Sequence, residues 1–139
     1  MVVVPVGYFL MGQDEGPRSN RPQRPVYLDA FAIDRTEVTN AAFARFARET
    51  NYQAAGWAGS LADTRPNEPV VGVLWREADA YCRWAGKRLS SEAEWGKAAR
   101  GRERRRYPWG DQWASNRANT WPRAAGGQFY GRGQPLRGA

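Results

Sequence analysis

Cys82 is the only cysteine of this 139-residue chain, and there is no histidine. No intrachain disulfide and no two-thiolate metal site can therefore form, and the commonest metal ligand and general base is missing. Three other groups of residues could do chemistry. Asp14 and Glu15 are adjacent acids, but in a Gly- and Pro-rich stretch they read as solvated side chains rather than as metal ligands. Trp57, Trp109 and Trp113 lie between periodic segments, where a large aromatic either contacts a ligand or pins its loop to the body. Residues 100–106 hold five arginines and one glutamate, a run that could give salt-sensitive phosphate binding; the reading preferred here is a solvated, hairpin-like loop.

The elements that must position these residues centre on 75–111. Ala78, Tyr81, Cys82 and Ala85 recur at helical spacing and define an inward face, with Arg76, Glu77, Asp79 and Arg83 opposite. Cys82 on that face reads as an inert small hydrophobe. Gly86 is placed to end the helix, with Lys87 and Arg88 near its carbonyl end. Ser91 and Glu94 have the spacing of a capping box, so a second helix is expected to run to about Gly101, with Ala93, Trp95, Ala98 and Ala99 as its apolar members. In the turn Pro108-Trp109-Gly110-Asp111, Trp109 is expected to bury and Asp111 to accept hydrogen bonds from its own loop.

Upstream, 2–11 reads as two short strands around Pro5 and Gly7, and 12–25 as a loop. From Pro25 to Glu37, Val26, Leu28, Phe31 and Ile33 alternate, with a break of phase near Ala30 that predicts a strand with a bulge. Thr39 should cap a helix to about Thr50 with Phe43 and Phe46 in the core and Arg45 and Arg48 outside. Residues 51–69 show no period and read as an extended loop, and Val70 to Leu74 as a short strand. The tail 122–139 is rich in Gly and Arg and contains no Asp or Glu; poor order is expected there.

The length suits one domain with a real core, with 42% hydrophobic residues and no apolar run long enough to cross a membrane. Nothing at the start has the form of a signal peptide, which points to the cytoplasm. The formal charge of +7 comes almost wholly from arginine, Lys87 and Lys97 being the only lysines, and it reads as a solvated surface rather than as a nucleic-acid interface.

Three runs carry a family resemblance: 80–89 (AYCRWAGKRL), Ser91-Glu92-Ala93-Glu94-Trp95, and Tyr107-Pro108-Trp109-Gly110-Asp111. Val4-Pro5, Phe9-Leu10-Met11-Gly12, 31–40 (FAIDRTEVTN) and 68–75 (EPVVGVLW) agree in order. Together they resemble the formylglycine-generating enzyme, or sulfatase-modifying factor, family over about residues 2–121. Ser90 where the family often has proline, Leu74 where a capping hydroxyl is usual, and Gly96 where an acid is common depart from its pattern.

The resemblance implies an α+β, loop-rich fold related in shape to C-type lectins, with three short helices and several short strands. Its domain would span 1–121, followed by the tail 122–139. The family oxidises a cysteine in a Cys-x-Pro-x-Arg motif of sulfatases to formylglycine with copper and molecular oxygen. The cysteine pair that binds its copper lies in a C-terminal half with no counterpart here, so the chain alone is expected to bind no copper and to be inactive, as a truncation or an altered reading frame would leave it. The resemblance further implies a structural calcium site begun by Asn119 and Thr120, whose acidic partners the tail lacks, and a structural role for Cys82, which in some members forms a disulfide with the other half. A sulfatase polypeptide is the implied substrate, and strand edges left open by half a fold imply marginal stability, a homo-oligomer or a second chain. The alternative is a non-catalytic, lectin-like module binding through Trp57, Trp109 and Trp113. A sulfoxide synthase with iron held by histidines is disfavoured because the chain has none.

Overall fold

A computed structural model describes residues 1–57, 59–102, 105–114 and 116–117. They form two compact units, 1–35 with 90–117, and Thr36–Leu89. The mixed helix and sheet agree with the α+β class. The Asn119–Thr120 pair and the tail lie outside the described residues.

The first unit contains β1 (Val2–Val4), β2 (Gly7–Met11), a 3-10 turn at Arg18–Asn20, β3 (Arg24–Leu28), β4 (Phe31–Ile33) and a helix at Glu92–Arg100. Two antiparallel ribbons result, β1 with β4 and β2 with β3. The expected bulged strand is in fact two strands: the break near Ala30 is where the chain leaves β2 and pairs with β1 instead. The expected loop at 12–25 contains the 3-10 turn and already begins β3 at its end. Phe9 and its cross-strand neighbour Val26 share one face, and Phe9 is buried. Tyr8 and Tyr27 take the other face and form an exposed edge-to-face pair with centroids 5.1 Å apart.

The second unit contains α1 (Asn40–Thr50), a one-turn helix α2 (Leu61–Thr64) and α3 (Trp75–Trp84); the helix of the first unit is α4. Thr39 caps α1 by accepting from the Ala42 amide at 3.3 Å. Asn51, with φ of 52°, closes the helix in the left-handed conformation. Phe43 and Phe46 are fully buried, as their spacing predicted. Tyr81 stacks on Phe43 at 5.8 Å and meets Phe46 edge-on at 5.7 Å, while Tyr52 and Trp84 close on Phe46. Each buried phenylalanine contributes roughly 2–3 kcal/mol of transfer free energy, so these rings are the chief apolar support of the unit.

Two expectations fail in this unit. Residues 51–69 include α2, which a period search could not find in four residues. Val70–Leu74 is not a strand: the Thr39–Pro69 bridge and a 2.8 Å bond from the Val70 amide to the Val38 carbonyl are its ladder contacts. The chain then turns at Gly72, whose φ is +76° and whose carbonyl would lie 2.2 Å from a Cβ added to Gly56. Only two glycines allow backbones to cross so closely.

Candidate functional site

Around α4 the structure assembles a set of cations that sequence patterning assigned to the surface. The Ser91–Glu94 capping box forms as expected, the Glu94 amide donating to Ser91 Oγ at 3.2 Å and the Ser91 amide to Glu94 Oε2 at 2.8 Å. The apolar face differs from expectation. Trp95 is 64% exposed, whereas Glu94 and Lys97 are buried. Lys97 turns inward because it has partners there: its ammonium donates to the Pro5 carbonyl at 2.7 Å and the Gly7 carbonyl at 2.8 Å. The bend between β1 and β2 leaves those carbonyls outside the ladder registers, and buried acceptors must be satisfied. Burial, followed by the charge of Arg102, lowers the Lys97 pKa.

Arg100 donates to the Gly12 carbonyl at 2.9 Å and the Arg105 carbonyl at 3.1 Å, and Arg102 to the Val6 carbonyl. Arg105 reaches the Arg100 carbonyl at 3.3 Å and the Pro108 carbonyl at 2.8 Å. Three of the five arginines in 100–106 thus bind backbone carbonyls. The hairpin-like loop expected here is present, closed by paired bonds between Tyr107 and Gly110 at 2.9 and 3.1 Å, but its arginines hold the loop and the first strands instead of being merely solvated.

Asp111 accepts from the Arg106 amide at 2.8 Å, within its own loop as the sequence predicted. Trp109 is half-buried, its indole N–H donating to the Gln112 carbonyl at 3.0 Å. Tyr107 stacks on it with an interplanar angle of 7°, and Trp113 meets both rings. The three rings pack against one another, so they form a platform and not a cage. With Asp111, Gln112 and Arg117, Trp109 and Trp113 line an open depression of about 550 Å³.

Trp57 belongs to the second unit and does not join that group. Its ring packs edge-on against Phe43 at 5.1 Å and pins the 51–69 segment to α1. Its indole N–H is buried without a hydrogen-bond partner. Cys82 lies on α3, half-buried and free of any disulfide. Its helix corrects the sequence reading at Glu77, which was placed on the outer face and is 1% exposed. The Glu77 carboxylate accepts from the Leu74 amide at 2.8 Å and the Ala55 amide at 2.7 Å. Leu74 has no side-chain oxygen to cap α3, so the carboxylate three residues on supplies the reciprocal half of the box alone. The Leu74 hydrogen bond, opposed by burial and assisted by the Ala55 amide, lowers the Glu77 pKa.

No group of three His, Cys, Asp or Glu side chains able to hold a metal occurs among the described residues. A copper(I) centre of two thiolates does not fit a chain whose one thiol is Cys82. No helix among the described residues is long and apolar enough to cross a membrane.

The sequence matches the family model described as the sulfatase-modifying factor enzyme 1-like domain over residues 1–136. It is 36% identical to a formylglycine-generating enzyme of Thermomonospora curvata over 87% of this chain and 56% of that protein. It is also 36% identical to the inactive C-alpha-formylglycine-generating enzyme 2 of Mus musculus, over 87% of this chain and 54% of that protein. Hercynine oxygenase of Mycolicibacterium thermoresistibile is 39% identical over 67% of this chain and 28% of its own length. The chain spans about half the length of the formylglycine-generating enzymes it matches.

Proposed function

This chain belongs to the sulfatase-modifying factor family, and we propose that it is a formylglycine-generating-enzyme-like module, inactive alone, whose chemistry depends on a second polypeptide carrying the catalytic cysteine pair. The observation that carries this reading is the family match over residues 1–136 in a chain with a single cysteine. Identity alone does not separate active from inactive members, because an enzyme and a relative named inactive match equally well at 36%. Cysteine count does: copper(I) favours soft thiolate ligands, and one thiol cannot supply two. The substrate of the completed module would be a cysteine in a sulfatase polypeptide, and its compartment the cytoplasm. The tail offers no acidic residues to complete a calcium site at Asn119 and Thr120.

Incubated with copper(I), oxygen, a reductant and a Cys-x-Pro-x-Arg peptide, the purified chain is expected to leave the peptide unconverted by mass spectrometry. Conversion that disappears in Cys82→Ser would overturn the requirement for a second cysteine-bearing chain. A second reading, a non-catalytic binding module, draws support from the Tyr107–Trp109–Trp113 platform beside the depression. Aromatic stacking contributes about 1–3 kcal/mol, so a ligand seated there should bind at least tenfold more weakly to Trp113→Ala and equally to Cys82→Ser, as read by titration of tryptophan fluorescence.

A further inference from the structure

The β1–β4 ribbon is apolar at every position: Val2, Val3 and Val4 pair with Ile33, Ala32 and Phe31. Val2 is 47% and Val3 70% exposed. Each strand has one edge engaged by the other and, among the described residues, no strand on its outer edge. A two-stranded ribbon is marginal in water at best. Natural edges are usually blunted with charge, proline or a bulge, and none of the six residues provides one. The Tyr8–Tyr27 pair on the neighbouring ribbon adds exposed aromatic surface in the same unit. Phe9 is the one fully buried apolar residue among those described in this unit, so its own core does not account for so much apolar strand surface.

We infer that the β1–β4 ribbon is the seat of a β-strand donated by a second polypeptide that carries the other half of the family domain. This rests on the proposed reading that such a polypeptide completes the module. Two observations select that occupant. The chain covers only 54–56% of formylglycine-generating-enzyme relatives that match 86–87% of it, so nearly half of their length has no counterpart here to cover the ribbon. A second copy of this chain would bring a formal charge of +7 against +7, which opposes self-association. The incoming strand would satisfy the open backbone groups by strand addition and set uncharged, alternating side chains against the valines.

To test the inference, the chain is co-expressed with the part of the Thermomonospora curvata enzyme that lies outside the matched stretch. A one-to-one complex is expected by size-exclusion chromatography with light scattering. Within it, amide hydrogen exchange at 2–4 or 31–33 should slow at least tenfold. Val3→Lys, at an exposed position where the isolated chain should keep its circular dichroism, should weaken the complex at least tenfold. Absence of a complex, a complex that leaves these amides unprotected, or one indifferent to Val3→Lys would each overturn the inference. So would concentration-dependent self-association that protects the same amides, since a second copy would then be the occupant. Peptide conversion measured on the same samples separates the two readings. A protected complex without conversion sinks the catalytic reading and leaves the seat standing, whereas conversion undiminished in Val3→Lys sinks the seat alone.

Discussion

Glu77→Ala is expected to destabilise the second unit by about 3–5 kcal/mol, the sum of two hydrogen bonds to a charged group at roughly 1.5–3 kcal/mol each. The substitution strips the partner from the Leu74 and Ala55 amides, which the carboxylate receives at 2.8 and 2.7 Å. It also leaves α3 with no cap, because leucine at the capping position offers no acceptor. A domain is usually stable by about 5–15 kcal/mol in total, so the loss should be visible as a large drop in the urea midpoint. Glu77→Gln keeps one carbonyl acceptor and turns an N–H₂ towards the other amide, so its effect should fall between wild type and alanine. An alanine variant within about 0.5 kcal/mol of wild type would mean that the carboxylate is not the tie between the 55–56 segment and α3.

The same residue carries a pH signature. Its pKa is lowered in the folded chain, chiefly by the Leu74 amide, so the unfolded state binds the proton more readily. Stability from this group is then fully present above its unfolded pKa of about 4.3 and is lost as pH falls through the folded value. Glu77→Gln should flatten that part of the acid limb of a stability–pH profile.

Lys97→Met is the second large effect, expected at about 2–4 kcal/mol in the first unit from two buried carbonyls left without a donor. Methionine fills nearly the same space, which separates the loss of hydrogen bonds from the loss of packing. The readout is faster amide exchange in β2 together with a lower denaturation midpoint. The sign of its pH dependence is opposite in origin to that of Glu77. Burial lowers the Lys97 pKa from 10.5, so the folded state gives up its proton first. The cost of burying the charge is fully present below the folded pKa and is relieved as pH rises towards 10.5, and a neutral amine still offers two N–H donors to Pro5 and Gly7. Wild type should therefore gain stability relative to Lys97→Met across that alkaline window; a flat difference would show that Lys97 is solvated.

Local signals were legible wherever the cause is local. The Thr39 and Ser91 caps, the breaks at Gly86 and Gly101, and the Phe43–Phe46 pair all depend on residues within a turn of one another, and each stands where spacing placed it. The candidate site was less legible. Trp57 and Trp109 share a residue type and a loop setting, yet Trp57 lies against Phe43 and Trp109 against Tyr107 and Trp113. Nothing in sequence order distinguishes those surroundings.

The sequence by itself determined the family, through runs of residues that need no coordinates to be compared, and through its single cysteine it excluded a two-thiolate metal centre. Helix ends and the Phe43–Phe46 core followed from spacing for the same reason: the interacting groups are neighbours along the chain. Tertiary structure decided what became of the charged residues. Lys97 and Pro5 are 92 positions apart and Glu77 and Ala55 are 22 apart, so a polarity pattern reads both charges as outward. They turn inward because bends and loop crossings strand backbone carbonyls and amides there, and satisfying a buried peptide group outweighs the cost of desolvating one well-bonded charge. Which strands pair was likewise settled by contacts distant in sequence, and the open β1–β4 ribbon exists only because β4 leaves β3 to meet the start of the chain.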